Sequence, residues 1–412
     1  MNTMRQDADQ IIRAAIRATQ PDAAVCRALG GQTFGDGRVL LVAAGKAAWQ
    51  MAQSAAAALG ERLETGIVIT KYGHVKGEIP RVTCYEAGHP VPDENSFRAT
   101  EAALRLTEGL TGADTVLFLL SGGGSALFEK PLIPAGELAE LTEALLASGA
   151  DIVEMNAVRK RLSGVKGGRF ALHCAPAKVL SVILSDILGD PVDMIASGPA
   201  SPDRSTAAEA RQVAERYGLH LSPEARRLLE AELPGQLENV ETHVTGSVRE
   251  LCAAAGAECR RLGYEPVYLT DRLCCQAREA GSFLAAIARS HGADSKSVAF
   301  IAGGETVVRL TGHGKGGRNQ ELALSAAAGI RGLDHVAVFS VGSDGTNGPT
   351  DAAGGYADGT TADILGGQGI EIADVLQEND AYHALEKSGG LVITGPTGTN
   401  VNDVAVVLVR GA

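Results

Sequence analysis

The form of its apolar runs most limits what this chain can fold into. "RVLLVAA" (38–44), "TVLFLL" (115–120), "AKVLSVILS" (177–185), "SVAFIAG" (297–303), "HVAVFSVG" (335–342) and "VNDVAVVLV" (401–409) are continuous rather than alternating, and Ala-rich helical stretches such as "KAAWQMAQSAAAAL" and "AGELAELTEALLAS" stand between them. A strand that is apolar on both faces must be covered on both faces, as in a parallel sheet packed between helices. The fold class is therefore α/β, with mostly parallel, Rossmann-like sheets sandwiched by helices. At 412 residues the chain is too long for a single core. The segment "SPEARRLLEAELPGQLENVETH" carries Pro and charge but no strand, and puts the division near residue 238, giving domains 1–237 and 238–412.

Charge and cysteine usage exclude several classes. A net charge of −12 argues against nucleic-acid and acidic-membrane partners, which require a basic surface. No apolar run approaches the roughly 18 residues of a membrane span. The opening "MNTMRQDADQIIRAAIRATQ" mixes both charge signs with apolar residues at helical spacing, unlike a signal or transit peptide, so a cytoplasmic protein is expected. The cysteines, at 26, 84, 174, 252, 259, 274 and 275, form no CxxC pair and no metal spacing, which fits reduced, mostly buried thiols.

Glycine is abundant, at 51 residues, and it gathers where the strands end. "VAAGKAA", "LSGGGSA", "LSDILGD", "IAGGET", "SVGSDGTNG" and "ITGPTGTN" each follow or border an apolar run. One glycine after a strand is usually only a turn. A row of such turns at the carboxyl ends of strands is what a polyphosphate needs, because bare backbone N–H groups and helix N-termini bind oxyanions. "LFLLSGGGSALFEKP" is the clearest case, with Ser121, Gly122, Gly123, Gly124 and Ser125 following a buried strand.

Basic residues stand beside these turns. Lys46 follows Gly45 at a strand-to-helix turn, where the helix dipole disfavours a cation unless an anion is near. Arg159 and Lys160 follow Asn156 within one helical turn, so one face could offer both to an anion. Lys315 and Arg318 lie in "GHGKGGRNQELAL", and Arg318 at the helix mouth could clamp a carboxylate or phosphate bidentately. The same stretch spells G-x-G-x-x-G at Gly312, Gly314 and Gly317, so a dinucleotide turn is a rival reading. Its charge and its late position in the chain weaken that rival. Acids complete the set: Asp186, Asp190 and Asp193 after one strand, Glu305 after another, Asp344 and Asp351 around "SDGTNGPTD". Carboxylates beside phosphate turns are where Mg²⁺ would be held. There is no Walker A motif and no nucleophile elbow.

"LLSGGGSAL", "MNAVRKRLSGVKGGRFA", "LSDILGDPVDMIASGP", "IAGGETVV", "GKGGRNQELAL" and "SVGSDGTNGPTDAAGG" together resemble the class II glycerate 2-kinase family, in which a MOFRL module follows a larger N-terminal domain. The resemblance covers nearly the whole chain, with the motifs in order. It implies ATP-dependent, Mg²⁺-assisted phosphorylation of D-glycerate at its 2-hydroxyl, in a cleft between two α/β domains. Lys46 and Arg318 match positions essential to the family's active site. On this reading Lys46, Arg318 and Asp186 are catalytic, while Ser121 to Ser125, Lys160, Gly303, Gly304 and Glu305 hold ATP. Arg159, Asn319 and Asp344 bind glycerate, and Asp186 with Asp190 holds the metal, one of the two being a candidate proton acceptor. Members labelled hydroxypyruvate reductase make an NAD(P)H-dependent reductase the alternative. The sequence is silent on oligomeric state, and a homodimer stays open.

Overall fold

The computed structural model describes residues 3–292 and 295–411, which form two compact units. One comprises Ala24–Ser185 and Asp190–Thr245; the other comprises the chain up to Ala23, Asp186–Gly189 and everything from Gly246 onward.

The first unit is built on β1 (Val39–Ala44), β2 (Leu63–Lys71), β3 (Val82–Ala87), β4 (Thr115–Leu120), β5 (Lys178–Leu184) and β6 (Val240–Gly246), in the spatial order 3-2-1-4-5-6. Pairing is parallel between β1 and β2, β1 and β4, β2 and β3, and β4 and β5. Every residue of β1 and β4 is buried, which is why these runs do not alternate. Leu41, Ala43, Leu117 and Leu119 pack against Trp49 and Met51 of the helix Ala48–Leu59. On the other face Phe118 meets Phe128 and Phe170, with ring centroids 5.5 and 4.7 Å away. The strand order reverses between β1 and β4. In a doubly wound sheet that reversal opens a crevice outside the carboxyl ends of those two strands.

The second unit holds β7 (Glu265–Leu273), β8 (Val298–Gly304), β9 (Val336–Gly342), β10 (Gly354–Asp358), β11 (Leu391–Val392) and β12 (Asp403–Val409), in the order 11-10-9-12-8-7. It too is α/β, but its sheet is mixed. β7 pairs parallel with β8, whereas β12 runs antiparallel between β8 and β9, and β10 runs antiparallel to both β9 and β11. The expectation of mostly parallel pairing therefore holds in the first sheet and not in the second. A strand buried on both faces gives the same continuous apolar run whichever way it points. Asp403, the first residue of β12, pairs with Gly304 at the end of β8 and Gly342 at the end of β9, so three strand ends meet at one edge.

The helix Thr3–Ala18 belongs to this second unit. Its Ile11, Ile12, Ala15 and Ile16 share a core with Val248, Leu251, Val404 and Val406. Asp7 on the same face accepts hydrogen bonds from Tyr264 at 2.8 Å and Arg410 at 3.0 Å. Among the described residues no helix is long and apolar enough to cross a membrane. All seven cysteines are free; Cys174, Cys252 and Cys259 are buried, and burial pushes each of these thiols up to about 12. Cys26 and Cys274 are exposed, so burial is less general than the sequence suggested.

Candidate active site

In the first unit the turns after β1 and β4 interlock at the carboxyl edge. The Lys46 N–H donates to the Gly122 carbonyl at 2.9 Å, and the Ala47 N–H donates to Ser121 Oγ at 3.1 Å. Gly45 has φ +129, and a Cβ there would lie 2.2 Å from Ser121 Oγ, so the two turns can close only with glycine at this position. Thr70, near the end of β2, ties down the Gly45 carbonyl at 2.9 Å. The helix Ala48–Leu59 that follows has no side-chain cap; its Ala48 N–H is taken by the Gly45 carbonyl at 3.2 Å, and the next two N–H groups, of Trp49 and Gln50, are left for an anion. Lys46 itself is exposed, and its ammonium has no ion-pair partner among the described residues.

The glycine triplet proves to be constrained by protein as well as available to ligand. Gly123 has φ +86, and a Cβ there would come within 2.8 Å of the His89 ring; a Cβ on Gly124 would meet Ala196 Cβ at 2.7 Å. Behind the turn runs a hydrogen-bonded chain: Ser125 Oγ lies 3.2 Å from Ser197 Oγ, which donates to Asn156 Oδ1 at 2.8 Å. Ala196 and Ser197 adopt left-handed φ values of 51° and 59° without being glycine, a conformation costing on the order of 1 kcal/mol each. The Ser197 hydroxyl in this chain is one of the contacts that hold them.

Lys166 is fully buried beneath the same turn, donating to the Ser125 carbonyl at 2.9 Å and pairing with Glu129. Burial pulls its ammonium down to about 8 against the opposing pull of Glu129. Arg159 is near enough to both to feel their charge, is half-buried, and has no hydrogen-bond partner of its own among the described residues. Lys160 does not join it. Its side chain is 1% exposed and is committed to Asp203 at 2.9 Å and Asp193 at 3.5 Å, so of the two neighbours only Arg159 is left without a partner among the described residues. Asp190 adopts φ 53°, and its buried Oδ1 has no hydrogen-bond partner.

In the second unit Arg318 opens the helix Arg318–Gly329 at the edge where β8, β9 and β12 meet. Its fork does clamp a carboxylate, but one from the protein: Nε and Nη2 reach the two oxygens of Asp403 at 2.5 and 3.1 Å, while Nη1 reaches Glu305 at 2.8 Å. Asn402 Nδ2 donates to the other oxygen of Glu305 at 3.2 Å and to the Asp186 carbonyl at 3.2 Å. Burial raises the Asp403 carboxyl, and the Arg318 guanidinium pulls it back. Asn319 is buried and accepts from Ser340 at 2.6 Å, while Asp344 shapes its own loop by accepting from the Thr346 N–H at 3.0 Å. Sequence reasoning missed Asp403, which looked like the entry of an apolar strand. The signal was there, since Asp is a poor strand residue.

The G-x-G-x-x-G stretch lacks its dinucleotide context. After β8 ends at Gly304 a long irregular segment intervenes, so no strand feeds the turn. Its glycines are needed for chain packing: a Cβ on Gly312 would lie 2.4 Å from the Glu378 backbone, and one on Gly317 would lie 2.2 Å from Asn347 Oδ1. Gly303 and Gly304 are likewise accounted for by Cys252 and Leu273, at 2.4 and 2.2 Å from a hypothetical Cβ. Beside Arg318 a cavity of about 720 Å³ is walled by Val307, Leu310 and Pro349, within the range of small-molecule sites. Among the described residues no group of three or more His, Cys, Asp or Glu side chains gathers as a ready metal site.

Comparison with known proteins agrees with this architecture. A family model described as a domain of unknown function, DUF4147, matches residues 7–230, and the MOFRL family model matches residues 298–403. The D-glycerate 2-kinase of Thermotoga maritima is 50% identical over 99% of both chains. The crystal structure of a glycerate kinase from that organism superposes with a TM-score of 0.94 at 49% identity, covering 99% of this chain and 100% of the other. The glycerate 2-kinase of Pyrococcus horikoshii is 39% identical over 97% of this chain and 96% of its own. A protein of Agrobacterium vitis with the provisional name hydroxypyruvate reductase is 38% identical over 98% of this chain and 94% of its own. The chain belongs to the glycerate 2-kinase family, with its DUF4147 and MOFRL domains.

Proposed function

We propose that this protein transfers the γ-phosphoryl group of ATP to the 2-hydroxyl of D-glycerate, giving 2-phosphoglycerate and ADP. The observation that carries the reading is the unpaired Lys46 ammonium between two interlocked Gly-rich turns, at the point where the parallel sheet reverses its strand order. Phosphoryl transfer needs little covalent help from protein; it needs position and compensating charge. The turn from Ser121 to Ser125 and the uncapped helix Ala48–Leu59 offer backbone dipoles to the phosphates, and Lys46 offsets charge on the group in flight. Arg159, half-buried and unpaired, suits the glycerate carboxylate.

Asp190, with its orphaned buried oxygen, offers the kind of hard oxygen donor that Mg²⁺ takes alongside phosphate oxygens. When bound, the ion would offset phosphate charge. In the second unit Arg318 fixes Asp403 and Glu305, and we assign it the task of holding that acidic edge in a defined geometry. With its cysteines unpaired, the protein suits a reducing compartment, and we place it in the cytoplasm.

The reductase alternative is weaker, because the one candidate dinucleotide turn spends its glycines on packing. A coupled assay decides. Glycerate with ATP and Mg²⁺ should release ADP and yield the 2-phosphate, whereas hydroxypyruvate should leave reduced nicotinamide absorbance unchanged; the reverse pattern would refute the kinase reading.

A further inference from the structure

Around Lys46 the first unit gathers an all-basic rim whose other members the sequence did not single out. Lys71 ends β2, His74 follows it with Nδ1 3.0 Å from the Lys46 carbonyl, and His89 follows β3. His89 lies directly over the oxyanion turn: its Cδ2 and Nε2 are 2.8 and 2.9 Å from where a Gly123 Cβ would stand, and Lys46 Cγ is 3.3 Å from that same point. The ring is half-exposed, and neither nitrogen has a hydrogen-bond partner among the described residues. The nearby acids are occupied elsewhere. Glu86 accepts the Val75 N–H at 2.9 Å, and Asp93 accepts from Tyr72 at 2.7 Å and from the Ser96 N–H at 3.0 Å.

An imidazole pressed against a glycine in the left-handed region, beside the unpaired Lys46, is placed for chemistry and not for scaffold. We infer that His89 is the proton acceptor for the substrate hydroxyl, a role that rests on the kinase reading and deepens it. As the C2 oxygen of glycerate bonds to the γ-phosphorus, its proton passes to the free imidazole nitrogen; the bond from that phosphorus to the β,γ-bridging oxygen breaks, and ADP leaves with the electron pair. The imidazolium then loses its proton to solvent. Burial first, then Lys46, Lys71 and His74, lower the pKa of His89, so the ring is neutral and able to accept near pH 7. The product phosphate balances the imidazolium that forms.

The test is His89→Gln in the full-length protein, with KM for ATP and for glycerate, kcat, and the pH profile all measured. A general base contributes about 10²–10⁴ in rate. The expected result is a kcat lower by roughly 10²-fold or more, a KM for ATP within about threefold of wild type, and loss of the acid limb from the kcat/KM profile. A kcat within threefold of wild type, or an acid limb that survives, would overturn the assignment. So would a KM for ATP that rises as far as kcat falls, the mark of a residue that only shapes the turn. ¹⁵N NMR titration of the His89 ring gives a readout independent of turnover: Lys46→Met should move its pKa upward, and no movement would contradict the contact. A wild-type protein that phosphorylates no glycerate would sink the kinase reading itself, a failure distinct from all of these.

Discussion

Two Gly-rich bends carry the two basic residues that the sequence singles out, Lys46 and Arg318, and they use them in opposite ways. At the carboxyl edge of the parallel sheet, Lys46 stands exposed among other basic groups with no carboxylate paired to it. At the edge of the mixed sheet, Arg318 is two-thirds covered and shared between Asp403 and Glu305. A free cation waits for an anion from outside; a bound one organises the anions around it. The same residue class next to the same kind of turn is left free in one unit and positions protein acids in the other.

The contrast can be broken by substitution. Lys46→Ala should cut kcat by about 10³-fold, the scale expected for a group acting on transferring charge, and shift stability by no more than about 0.5 kcal/mol, as at other exposed sites. A large fall in melting temperature would show that Lys46 is structural after all. Arg318→Ala should do the opposite to stability, leaving the Asp403 carboxylate buried without its counter-charge at a cost of about 3 kcal/mol.

The sign with pH follows from the raised carboxyl. With Arg318 gone, the folded pKa of Asp403 rises further, the folded state holds a proton that the unfolded chain has released, and stability falls as pH rises above the ordinary carboxylate range of about 4. Asp403→Asn in the Arg318→Ala background should recover part of the loss. Melting curves of the wild type, Arg318→Ala, Asp403→Asn and the double variant between about pH 2 and about pH 8, from roughly two units below the ordinary carboxylate value to well above it, would show whether the coupling exists.

A smaller effect separates the glycines. Gly123→Ala must adopt a left-handed φ and push on His89, so about a tenfold loss of kcat and roughly 1 kcal/mol of stability are expected together. Gly303→Ala, which crowds Cys252, should cost stability while leaving the KM for ATP unchanged. If Gly303→Ala raised that KM instead, the second turn would be a phosphate site and the contrast between the units would fail.

The sequence supports some of this directly. Continuous burial of β1 and β4 follows from "VLLVAA" and "TVLFLL", because only a sheet covered on both faces tolerates them. The interlocking of Gly45 with Ser121 does not follow, since it depends on two turns 76 residues apart meeting at one edge. Strand direction in the second unit was hidden because burial has no sense of direction. The separation of Arg159 from Lys160 was hidden because a helix places adjacent residues about 100° apart, so the two side chains meet different surroundings. His89 escaped notice because "AGHPVP" reads as a turn, and only the fold brings it over Gly123.

Calorimetric titration of a non-hydrolysable ATP analogue into the wild-type protein and Lys46→Met tests the central claim most directly. If the unpaired ammonium at the strand-order reversal holds the triphosphate, the variant should bind at least about tenfold more weakly, roughly 1.4 kcal/mol, and lose part of the salt dependence of binding. Equal affinity at low and high salt in both proteins would contradict it.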